Sequence, residues 1–226
     1  MVGGPCGRWW AFRRAVFFVL FLAVFFVFPV LFSFLVFMLA VLQSFPVLGF
    51  SGSRRSGSVA ARACSALLPS LAPRSVFVGC CAGGVDRLVR SAFPAASVFR
   101  ASGSSPRALA ARSSVFVRSL VRAGGLLVAF PLGGCPAGVS AGRRSFRGCG
   151  SGSWGSVALA LALGGGALVF VPGGCGSAAP LGPLGGRFAP VGRVVRLGGV
   201  SGRWWFAAPL PPPVVGGGGG VQGSLF

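Results

Sequence analysis

Seven cysteines, at positions 6, 64, 80, 81, 135, 149 and 175, and one carboxylate, Asp86, are the residues here that could do chemistry. General acid–base catalysis draws on His, Glu, Asp, Lys, Tyr or Cys, and this chain has no His, Glu, Lys or Tyr. A carboxylate pair needs a second acid. A serine or cysteine nucleophile needs a base beside it, and no His or Lys exists to serve. The sequence therefore predicts no enzyme and no catalytic residue. The cysteines are odd in number, irregularly spaced and without a Cys-x-x-Cys, so neither a disulfide framework nor a zinc site is expected.

Cofactor motifs fare no better. Gly150-Ser-Gly152-Ser-Trp-Gly155 fits the dinucleotide fingerprint G-x-G-x-x-G, but no strand is expected before it. Gly174-Cys-Gly176-Ser-Ala-Ala179 fits the alanine variant and follows the apolar run Ala167–Val171. Pro180 stands where its helix would begin, and no acid follows about twenty residues on to hold a ribose. A phosphate loop of the lysine type is impossible without Lys. With 39 glycines, chance supplies such matches; no cofactor is expected.

The missing residue types are Lys, Glu, His, Tyr, Ile, Thr and Asn. They share no physical property, but every codon for each contains adenine. Only Met1, Met38, Gln43, Asp86 and Gln222 need adenine at all. Stop codons contain it too, so an adenine-poor strand stays open by default. The sequence reads as the product of such a frame, with no evolved biochemical function to infer. Two alternatives stand beside that reading. One is a small single-pass membrane protein with an Arg-rich tail held at anionic lipid. The other is an Arg-rich nucleic-acid-binding protein making non-specific contacts. No specific protein partner is indicated.

The elements that would position these residues are few. All 21 basic residues are Arg, and the net charge is +20. Such a charge repels itself and favours expansion. Asp86 has Arg87 and Arg90 as its nearest candidate partners in sequence. Gly 39 and Pro 17 together reach the low-complexity range of about a quarter of the chain. These features predict a mostly irregular, disordered chain with one N-terminal transmembrane α-helix, scattered short helices and no compact globular core.

Along the chain, residues 1–14 form a basic head. Residues 15–42 carry no charge, and 22 of these 28 are Leu, Val or Phe. As a helix they would run about 42 Å, against a hydrocarbon core of about 30 Å. The sequence thus places a signal-anchor there and the protein in a membrane, with the lipid bilayer as partner. Residues 43–123 read as a Ser/Ala/Arg-rich low-complexity region, with helices expected over Val85–Ser91 and about Pro106–Ala123. Residues 124–186 read as a Gly-rich apolar region, in which periodicity does not separate strand from helix over Val157–Val171. Residues 187–226 read as a Pro/Gly-rich disordered tail.

Overall fold

The computed structural model describes residues 38–142, 151–173 and 179–211. The chain divides into two units, Met1–Ser44 and Phe45–Phe226. Of the first, residues 38–44 are described and are helical.

The second unit alternates strand and helix: β1 (Leu48–Gly52), α1 (Val59–Leu67), β2 (Val76–Gly79), α2 (Gly84–Ala92), β3 (Ser97–Phe99), α3 (Pro106–Arg122), β4 (Leu126–Phe130), α4 (Gly152–Ala162) and β5 (Gly166–Pro172), then a hairpin of β6 (Ala189–Leu197) and β7 (Val200–Ala207). The strands form one seven-stranded sheet in the order β3-β2-β1-β4-β5-β7-β6. The five from β3 to β5 are parallel. The hairpin adds β7 antiparallel to β5, with β6 on the outer edge and a register shift between Val191 and Val195.

Strand composition follows from this placement. Leu126-Leu-Val-Ala-Phe130 is buried at every position, and β5 is buried from Gly166 to Val171. Parallel strands covered on both faces carry such unbroken apolar runs. Helices α1 and α2 pack together, as do α3 and α4. The second pair shares a core with alternate sheet residues: Phe116, Val117 and Leu120 of α3 and Trp154 and Val157 of α4 meet Leu127, Ala129, Val169 and Trp205. On the other face Phe130, Phe170 and Trp204 pack ring against ring, with centroids 5.2–6.3 Å apart. This is a doubly wound α/β architecture.

Helix starts are set by serine. The hydroxyls of Ser58, Ser105 and Ser151 accept from the backbone N–H of Ala61, Ala108 and Trp154, capping α1, α3 and α4. Pro106 occupies the first turn of α3, where its missing N–H costs nothing. The β6–β7 turn is Gly198-Gly199, both with positive φ (53° and 76°), as a tight two-residue hairpin turn demands.

Several expectations are corrected. The unit is neither disordered nor without a core, because its apolar residues are sorted onto the two faces of one sheet. Part of the stretch expected as an unstructured tail forms β6 and β7, whose Trp204 and Trp205 are buried. Membrane placement is corrected too: among the described residues no helix is long and apolar enough to cross a membrane. Of the proposed anchor at 15–42, residues 15–37 lie outside the described residues, as does the basic head. The helices expected at Val85–Ser91 and Pro106–Ala123 are present as α2 and α3. The undecided run Val157–Val171 holds the end of α4, a turn and most of β5.

Two outcomes test this packing. Gly84 opens α2 with φ +64°, and a Cβ there would collide with the Ser53 carbonyl oxygen. Gly84→Ala should lower unfolding free energy by about 1–3 kcal/mol in urea titration. Burial raises the Cys64 thiol, which is fully enclosed on α1, from 9.0 to about 12, with Asp86 adding a smaller push. Above pH 9 the unfolded chain loses this proton while the folded chain keeps it, so stability declines from pH 9 towards pH 12, by about 1.4 kcal/mol per unit at most. Cys64→Ala should flatten that decline in urea titrations at pH 9 and pH 10.5.

Candidate functional site

Strand order reverses between β1 and β4. The chain steps from β1 to β2 to β3 on one side and then returns to lay β4 and β5 on the other. At such a point the loops leaving the two strands part in opposite directions and open a crevice at the strands' carboxyl ends. Here that crevice has a volume of about 520 Å³. Its walls are Gly52–Arg55 after β1, Leu132–Gly134 after β4, and Ser151–Trp154 at the start of α4.

Each wall is fixed by hydrogen bonds. The Ser53 N–H donates to the Phe130 carbonyl at 3.3 Å, tying the β1 loop to β4. The Ser53 carbonyl accepts from Val85 N–H at 2.9 Å, and its hydroxyl accepts from Arg55 N–H at 3.1 Å. Further along, the Ser56 hydroxyl accepts from Gly84 N–H at 3.4 Å. This wiring leaves the side chains of Arg54 and Arg55 exposed at the mouth. Across the crevice, buried Trp154 donates its indole N–H to the Gly133 carbonyl at 3.0 Å and anchors the β4 loop. The first N–H groups of a helix have no acceptor within it, and α4 presents its first turn here with a partial positive charge.

A smaller cavity of about 30 Å³ shares Gly52, Arg54 and Gly152 with the crevice. Asp86, Arg112, Cys81, Ser113 and Ser156 line it. Asp86 Oδ2 accepts from Arg112 Nη1 at 3.2 Å and from the Cys81 N–H at 3.2 Å. Both charged side chains are buried, at 7% and 10% exposure. The sole acid of the chain is thus neutralised by α3, and not by Arg87 or Arg90, its neighbours in sequence. Arg90 instead donates to the carbonyls of Gly79 and Cys81 at 3.1 and 2.9 Å, holding the β2 loop. Gly79 lies beneath the ion pair, and a Cβ there would overlap both Arg112 Nη1 and Asp86 Oδ2. Arg112 Nη2 also approaches the Cys81 sulfur at 3.6 Å.

The electrostatics follow. Burial raises the pKa of the Cys81 thiol and the Asp86 charge raises it further, while Arg112 opposes. Cys81 is therefore a thiol at neutral pH and not an activated nucleophile. Burial works to lower the Arg112 pKa, but Cys81 and Asp86 outweigh it and the guanidinium stays charged. Among the described residues no three cysteine or aspartate side chains gather to hold a metal.

Of the two fingerprint matches, Gly152-Ser-Trp-Gly155 lies in α4, with Gly152 at its first position on the crevice wall. It follows β4 only after a long connection, unlike the tight strand–turn–helix of the fingerprint. Nearly all of Gly174–Ala179 lies outside the described residues. Arg54, Arg55 and Arg112 were not singled out by sequence reasoning. The readable signal was the run Ser53-Arg-Arg-Ser-Gly-Ser58 between an apolar stretch and a helix. No family model matches the chain, and comparison with curated proteins and with solved structures finds no match.

The buried pair makes a direct prediction. Arg112→Ala strands the Asp86 carboxylate and should cost about 3–5 kcal/mol. Asp86→Ala combined with Arg112→Ala should cost less than the two single changes summed, as a double-mutant cycle in urea would show.

Proposed function

We propose that the crevice binds a small molecule through a phosphate group. The observation that carries this reading is the convergence on one crevice of exposed Arg54 and Arg55 with the first turn of α4, at the strand-order reversal. Phosphate is favoured by guanidinium donors and by helix N-termini. The volume of about 520 Å³ falls within the ordinary range for small-ligand sites. No free carboxylate opposes an anion, since Asp86 is paired with Arg112. The reading is of a binding site: neither a base nor an activated nucleophile among the described residues lines the crevice.

A second reading, non-specific binding of nucleic acid by surface arginines, draws on the net charge of +20. One comparison separates the two. Arg54→Ala/Arg55→Ala and Arg193→Ala/Arg196→Ala remove the same charge, the second pair from the outer strand β6. Calorimetric titration with inorganic pyrophosphate should show at least tenfold weaker binding for the crevice pair and less than twofold change for the β6 pair. Equal weakening by both would sink the crevice reading and favour bulk charge.

A further inference from the structure

The small cavity beside the crevice asks for a ligand group of its own. The Asp86–Arg112 contact is end-on, through Oδ2 and Nη1 alone, where such pairs often make two parallel bonds. Both hydrogen bonds to the carboxylate fall on Oδ2. Among the described residues nothing engages Oδ1. Arg112 Nε is buried and has no hydrogen-bond partner. That N–H is closed off from any water-sized group, whereas Asp86, which carries the open acceptor, lines a cavity of about 30 Å³.

The group that complements this acceptor without adding charge is a hydroxyl. It donates one hydrogen and accepts through its lone pairs, and the cavity has room for a group of about water size. A second phosphate would meet the Asp86 charge, and an ammonium group would meet Arg112. We infer that this cavity is the sugar end of the site, taking one hydroxyl of a ligand whose phosphate lies in the crevice. The ligand class is then a sugar phosphate, nucleotides included, and not phosphate or polyphosphate alone. This rests on the phosphate reading of the crevice and adds to it the identity of the neighbouring group.

The full chain tests this with two probes, ribose 5-phosphate and methyl phosphate, the second a phosphate ester without hydroxyls. Calorimetry should show ribose 5-phosphate binding at least tenfold more tightly. In Asp86→Asn that advantage should fall below threefold. A second measurement needs no variant. Saturating ribose 5-phosphate should slow alkylation of half-buried Cys81 by iodoacetamide at least fivefold, read by peptide mass spectrometry, and saturating methyl phosphate should leave the rate within twofold. Equal affinity of the two probes, an advantage that persists in Asp86→Asn, or equal protection of Cys81 would overturn the sugar assignment, leaving the cavity to water and the phosphate reading intact. If neither probe binds, the phosphate reading fails and the sugar assignment with it.

Discussion

The ion pair between Asp86 and Arg112 is the point on which the site depends. Asp86 stands on α2 and Arg112 on α3, helices that cover opposite faces of the sheet. Their side chains meet over the carboxyl end of β2, where Gly79 offers no Cβ to obstruct them. One contact therefore joins the two helical layers at the rim that carries the crevice. It also pairs the chain's sole acidic side chain with a guanidinium beside the crevice. The Cys81 N–H and Arg90 extend the same network into the β2 loop. Desolvation offsets much of the attraction in a buried pair of this kind, so its presence says little about net stability.

Helices α2 and α3 were legible; α1, α4, the strands and the assembly were not. The helix over Pro106–Arg122 follows from Ser105, Pro106 and the paired glycines after it, all local signals. Helix α2 follows from Asp86 in its first turn and Arg90 in its last. The strands were obscured because fully buried parallel strands lack alternation. Leu126–Phe130 is apolar at every position, and periodicity gives such a run no face. The charge argument failed for a different reason. Self-repulsion bears on solubility and association, not on fold. Among the described arginines, Arg112 alone is buried, and most of the others lie in solvent, where water screens them. The pairing of Asp86 was misjudged because sequence distance favours Arg87 and Arg90, while the fold brings Arg112 across 26 residues.

The narrow alphabet left its mark on how the fold is built. Thr and Asn are absent and Asp occurs once, so serine does the capping at Ser58, Ser105 and Ser151. Without Asn, glycine supplies every positive-φ residue among those described. Part of the glycine content that looks like low complexity is therefore turn chemistry in a chain with few alternatives. Branched strand positions fall to Val because Ile and Thr are missing. A skewed composition restricted the choice of residue at each position without preventing a layered α/β arrangement.

The two outermost strands carry a consequence of their own. An uncovered sheet border is a template on which a second chain can add and start a fibre. On one side the border is β3, three residues long, too brief to seat a partner. On the other it is β6, interrupted between Val191 and Val195 and studded with exposed Arg193 and Arg196. Like charges would face each other if two such borders met. The same arginine surplus that argues against a compact chain thus guards the finished sheet against polymerisation.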